Sequence, residues 1–95
     1  MKPLTASIKP SHNLTLPEGL DSVVAKTLAE ALRSCGGEDV TIDASHVRWL
    51  GGHTLEVLRS AELTWRADGR QLTVTNAKAD FADDLKYFGV KLRYG

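Results

Sequence analysis

Residues 40–58 read Val-Thr-Ile-Asp-Ala-Ser-His-Val-Arg-Trp-Leu-Gly-Gly-His-Thr-Leu-Glu-Val-Leu. Val40 and Ile42 flank Thr41, a two-residue alternation that gives a short strand with one apolar face. Val47, Trp49 and Leu50 are apolar again, and a Gly51-Gly52 break follows. From His53 or Thr54 the period lengthens: Leu55, Leu58, Ala61, Glu62 and Trp65 share one side of a helix that runs to about Ala67. Glu62 is the polar member of that stripe, which implies a buried face narrower than the five positions together. Strand, loop and helix in this order make half of a βαβ unit.

The alternation continues outward. Upstream, Leu14 and Leu16 flank Thr15 just before Pro17, and the Pro-Glu-Gly that follows reads as a strand ending in a turn. From Asp21, the residues Val24, Leu28, Ala31, Leu32 and Cys35 recur at i, i+4, i+7, i+8 and i+11, the stripe of an amphipathic helix. Asp21 or Ser22 can cap it, since a short side-chain oxygen accepts from backbone N–H groups that have no helical partner. Gly36-Gly37 ends it. Downstream, Asp68-Gly69 closes the second helix and Leu72 and Val74 make the next strand. A last helix is predicted from about Lys78 to Phe88, with Phe81, Leu85 and Phe88 on one side and Gly89 in the C-cap place. Residues 1–11, with Pro3 and Pro10 around Leu4, Ala6 and Ile8, suit an N-terminal edge strand or a loosely held arm. Strands alternating with helices imply right-handed crossovers and a largely parallel sheet. Sites in such sheets gather where strand C-termini meet helix N-termini, here the turn Glu18–Ser22 and the connection Ala44–Thr54.

Composition narrows the function. The 95 residues suffice for one domain, 1–95, and are 42% hydrophobic and 25% charged, as in ordinary globular chains. Twelve Lys and Arg balance twelve Asp and Glu, so the broad basic field of a nucleic-acid binder is missing and nucleic acid is not an expected partner. A single cysteine, Cys35, allows no internal disulfide and fits a reducing cytoplasm. Neither a secretory signal nor a membrane-inserting apolar run is present in the sequence, so direct membrane insertion is not expected.

No catalytic set emerges. His12, His46 and His53 show no metal-ligand spacing and no cysteine pair accompanies them, so neither metal nor cofactor is expected. Cys35 lies on the apolar stripe of the first helix, where it acts as a small hydrophobe. Asp43 has no companion acids to hold a cation and is expected to accept from backbone N–H groups of the loop after it. Two glycines ahead of a helix either make a sharp turn or leave N–H groups free at the positive end of the dipole, where each negative charge gains roughly 0.3–1 kcal/mol. His53 can act as a phosphoacceptor, a pH-sensitive contact or a cap. Trp65 belongs to the core. Trp49 is a contact candidate or the cover for one end of the sheet. Arg59, Arg66 and Arg70 read as a solvated face.

The 40–58 segment resembles the centre of the STAS family, the sulfate-transporter and anti-sigma-factor-antagonist domain. In that family an apolar strand ends in aspartate, a short loop follows, and Asp-Ser-Ser-Gly-Leu-Gly opens a helix. Gly19-Leu20-Asp21 is similar to the family's Gly-Glu-Leu-Asp turn with one residue lost. Residues 66–74, Arg-Ala-Asp-Gly-Arg-Gln-Leu-Thr-Val, and the stretch 81–90 resemble its third strand and third helix. The likeness spans about Leu14 to Val90. It implies a two-layer α/β STAS fold with a mixed, mostly parallel sheet of about four strands and three or four helices, the family's C-terminal strand and helix being short or missing. The family phosphoserine falls on His53, with Gly51, Gly52 and Thr54 in place of Asp, Ser and Gly. In that Leu-Gly-Gly variant the chain looks nearest to short STAS proteins of alphaproteobacterial chemotaxis gene clusters.

The resemblance implies a non-enzymatic, cytoplasmic regulatory protein that docks the N-terminus of its second helix, with the Glu18–Ser22 turn, on a signalling kinase of chemotaxis histidine or anti-sigma type. The usual serine phosphorylation is not expected. The residues expected to carry the contact are Asp21, Ser22, Ser45, Trp49, Gly52, His53, Thr54 and Glu56. Two alternatives stand beside it: the small STAS subunit of a phospholipid-transporting ABC complex, and a switch phosphorylated at Thr54 or His53.

Overall fold

A computed structural model describes residues 11–94; the expected arm lies outside them except for Ser11, which opens a strand. The elements follow the order β1 (Ser11–Thr15), β2 (Gly19–Leu20), α1 (Ser22–Ser34), β3 (Asp39–Asp43), β4 (Trp49–Leu50), α2 (Gly52–Ala67), β5 (Leu72–Thr75), α3 (Ala79–Tyr87) and β6 (Arg93–Tyr94). The expected helices are present with ends shifted by one or two residues. The described residues hold three helices, the lower of the two expected numbers.

The main sheet has the order β1-β3-β5-β6, and every described pairing in it is parallel. A monotonic order joined by crossovers of one hand places the intervening helices on one face. The burial pattern agrees: Val40, Ile42, Leu72 and Val74 are buried, while Asp39, Thr41, Asp43, Thr73 and Thr75 on the other face are only half-buried. This is a two-layer α/β fold, with helices against one side of a sheet. The C-terminal strand expected to be short or missing is the two-residue β6, paired with Thr73 and Val74.

Between the layers lie Leu28, Leu32 and Cys35 of the first helix and its end, Leu58, Ala61 and Trp65 of α2, and Phe81 and Leu85 of α3. Apolar spacing explains which side of each helix faces inward. Trp65 also donates its indole N–H to the Glu38 carbonyl at 2.8 Å, which satisfies its one polar atom inside the core.

Glu62 corrects the sequence reading. It is 6% exposed, so the inward face of α2 includes this carboxylate. One oxygen accepts from the Lys91 amide at 3.4 Å. The other forms an ion pair with Arg66, one turn on, without a directed hydrogen bond. A backbone hydrogen bond from the segment after α3 and charge neutralisation by Arg66 of its own helix let an acid occupy a stripe position.

The inward face makes a direct test. Leu58→Ala, at a fully buried position, should cost about 2–5 kcal/mol in denaturant unfolding. Leu63→Ala, at a position 52% exposed on the same helix, should stay within about 0.5 kcal/mol of the parent.

Candidate functional site

A second, two-stranded ladder builds the site. β2 and β4 pair in parallel, Gly19 with Trp49 and Leu20 with Leu50. Each strand runs directly into a helix, so the pairing sets the N-termini of α1 and α2 side by side. Asp21 caps α1, its carboxylate accepting from the Val24 amide at 2.9 Å. Gly51 occupies the corresponding place before α2 and offers no side-chain cap. The first-turn amides of α2 therefore keep their positive dipole end without a capping side chain.

Close backbone approach is what Gly51 contributes. Its amide donates to the Leu20 carbonyl at 2.9 Å. A Cβ on Gly51 would meet that same oxygen at 2.7 Å. Its φ of −84° is open to any residue, so contact and not conformation requires glycine. Gly52, in contrast, faces open space. Gly19 is a second close approach, because a Cβ there would lie 2.7 Å from Cζ2 of the Trp49 ring. Trp49 thus lies over the Gly19 backbone while remaining 53% exposed. Its strand is anchored by the Arg48 and Trp49 amides, which donate to the Glu18 carbonyl at 2.7 and 3.3 Å. The Arg48–Glu18 ion pair at 2.8 Å is largely exposed and adds little beyond those bonds.

Thr54 departs from the expectation of a surface contact. It is fully buried, and its hydroxyl donates toward the Leu20 and Asp21 carbonyls at 3.2 and 3.3 Å. The one-turn offset from Gly51 points it at the neighbouring helix start, so it ties α1 to α2. A hydroxyl so placed offers no oxygen to a partner or to a phosphoryl donor without opening the site, which corrects its reading as a contact and as a phosphorylation position. Among the other expected residues, Asp21, Ser22, Gly52, His53 and Glu56 are exposed around the two helix starts. His53 and Glu56 also line a groove between α1 and α2, of about 650 Å³, floored by Ala25, Ala29 and Ala61.

Ser45 is half-buried and belongs to the loop that Asp43 organises. The Asp43 carboxylate accepts from the Ser45 amide at 2.9 Å and from the Asn76 side chain at 3.2 Å. These bonds, the amide first, hold its pKa below the usual 3.8. The expectation that Asp43 accepts from the following loop agrees with this geometry. No motif or spacing in the sequence marks Asn76; its φ of 58° lies in the left-handed region that asparagine tolerates, and that turn aims its amide at Asp43.

With this geometry in view, a family model described as "Mlab, STAS domain" matches residues 5–91. The chain belongs to the STAS domain family. STAS domains are in general regulatory, non-catalytic modules of anti-sigma-factor-antagonist type that work through protein partners. No curated protein matches the chain. No helix among the described residues is long and apolar enough to cross a membrane.

The two glycines should separate cleanly. Gly51→Ala should lower stability by about 1–3 kcal/mol through the clash with the Leu20 carbonyl. Gly52→Ala should leave it unchanged or raise it by up to about 1 kcal/mol, as read by chemical denaturation. A pH prediction attaches to Asp43. Its folded pKa is depressed, so its stabilisation is fully present above 3.8 and is lost as pH falls through the lower folded value. Asp43→Asn should therefore flatten the fall of Tm with acidity below about pH 4.

Proposed function

We propose that this STAS domain is a cytoplasmic binding protein that regulates a signalling kinase, of chemotaxis histidine or anti-sigma type, through the joined N-termini of α1 and α2. The observation that carries this reading is the β2–β4 ladder. It gathers Asp21, Ser22, Gly52 and His53 on one surface beside Trp49, with the amides of α2 left without a side-chain cap. Such a surface suits an acceptor group of the partner, a carboxylate or a carbonyl, at the amides of Gly52 and His53. The Trp49 ring supplies a rigid apolar anchor, the residue type most often found at binding hot spots. Glu56 lies one turn into α2 and sets the sign of charge at the edge.

Binding that favours one state of the kinase is sufficient for regulation, and no chemistry on this chain is needed. The buried hydroxyl of Thr54 supports a mode without threonine phosphorylation. His53, in the family's phosphoserine position, serves here as a contact exposed at the start of α2.

Affinity purification with the tagged protein, followed by titration against the recovered partner, tests the reading. Gly52→Glu places bulk and negative charge in open space at the helix start. It should reduce affinity at least about tenfold, a loss of about 1.4 kcal/mol, while the unfolding midpoint stays near that of the parent. Unchanged affinity would remove the surface from consideration. Recovery of an ABC nucleotide-binding subunit in place of a kinase would establish the phospholipid-transport alternative.

A further inference from the structure

The far end of α2 carries a different surface. Arg66 and Arg70 follow the helix and its C-terminal turn, and Lys91 and Arg93 come from the segment after α3. All four line one cleft of about 310 Å³, together with Gln71 and the buried Glu62. These cations belong to a chain whose formal net charge is zero. Of these four cations only Arg66 has an ion pair among the described residues, with Glu62. Four cationic side chains against one carboxylate leave a threefold positive excess in the cleft.

Backbone geometry fixes where these side chains start. The Arg70 amide donates to the Trp65 carbonyl at 2.9 Å, just past Gly69 with φ at 68°. The Lys91 amide donates to Glu62, and Arg93 stands opposite Thr73 in the β5–β6 ladder. Residues from two separate parts of the chain are therefore brought to one concavity by core contacts. A merely solvated face needs no such convergence.

We infer that this cleft binds a phosphoryl group. At neutral pH such a group carries a charge of about −1.5 to −2 and three acceptor oxygens, which suits three guanidinium groups and an ammonium lining one cleft. A single carboxylate offers one charge and two oxygens, too few for this excess. A nucleic-acid backbone calls for a basic stripe along an extended path, whereas the cations here line one cleft of about 310 Å³ on a neutral protein. The phosphoryl group belongs either to a small phosphorylated molecule or to a phosphorylated side chain of another protein. The site lies at the opposite end of α2 from the proposed kinase contact and does not depend on it.

Amide chemical-shift titrations of the full chain test this, with inorganic pyrophosphate, a phosphoserine peptide, its unphosphorylated twin and a single-stranded oligonucleotide as probes. Saturable shifts centred on Arg70, Gln71, Lys91 and Arg93 are expected with pyrophosphate or with the phosphopeptide. Tighter binding of pyrophosphate identifies a small-molecule source, and tighter binding of the phosphopeptide a protein one. The double variant Arg70→Glu with Arg93→Glu, both exposed positions, should weaken binding at least about tenfold without altering shifts elsewhere. Glu62→Gln removes the competing carboxylate and should tighten binding several-fold. The site is overturned by an absence of saturable shifts up to about 10 mM probe, well beyond the range of a specific site. Equal affinity for the unphosphorylated peptide, tighter binding of the oligonucleotide, or indifference to the double charge reversal would each overturn it as well.

Discussion

The Leu20 carbonyl accepts from two donors, the Gly51 amide and the Thr54 hydroxyl, and both donors belong to the start of α2. A carbonyl oxygen has two lone pairs, and here the Gly51 amide and the Thr54 hydroxyl, the latter shared with the Asp21 carbonyl, are aimed at them. The pairing holds the first turn of one helix against the last residue of the strand that feeds the other. If it loosened, α1 and α2 could still pack through their apolar stripes, but their first turns would no longer share a surface. The arrangement of Asp21, Gly52, His53 and Trp49 follows from this contact, whose tightness follows from the absence of a Cβ at Gly51.

Much of the fold can be read from the residues because the signals are periodic. Val40 and Ile42, or Leu28 and Leu32, declare their inward faces by spacing alone, and the glycines after each helix mark the stops. The β2–β4 ladder escaped that reading because two-residue strands have no period to detect. Its marks are Gly19 and Gly51, whose role is close approach, and close approach is visible only once the opposing atoms are known. Thr54 misled for a related reason. A polar residue at a helix start looks like a surface group, yet one turn beyond Gly51 the helix has rotated it toward the neighbouring carbonyls. A carboxylate at Glu62 argues against burial on sequence grounds, and its burial depends on Arg66 and on the Lys91 amide, partners at short and long range.

Neutral net charge is a weaker constraint than it first looks. It removes a long-range field of one sign, but it says nothing about how twelve cations and twelve anions are placed. In this domain the cationic cleft at the end of α2 concentrates a third of the Lys and Arg around one buried acid. The N-terminal end of the same helix is positive for a different reason, the alignment of peptide dipoles, and carries acidic neighbours at Asp21 and Glu56. Local recognition is therefore compatible with a chain that shows no electrostatic bias as a whole.

The two ends of α2 also limit how they can influence each other. Sixteen helical residues span about 24 Å, whereas charge is screened over about 8 Å at physiological ionic strength. A ligand at the cationic cleft thus cannot tune the helix N-terminus through its field. It can act only by shifting α2 along or about its axis, and the bonds to Leu20 at one end, with the Trp65 indole bonded to Glu38 near the other, oppose that movement. Two surfaces on one firmly held helix are therefore expected to bind independently, each reading its own partner through local chemistry.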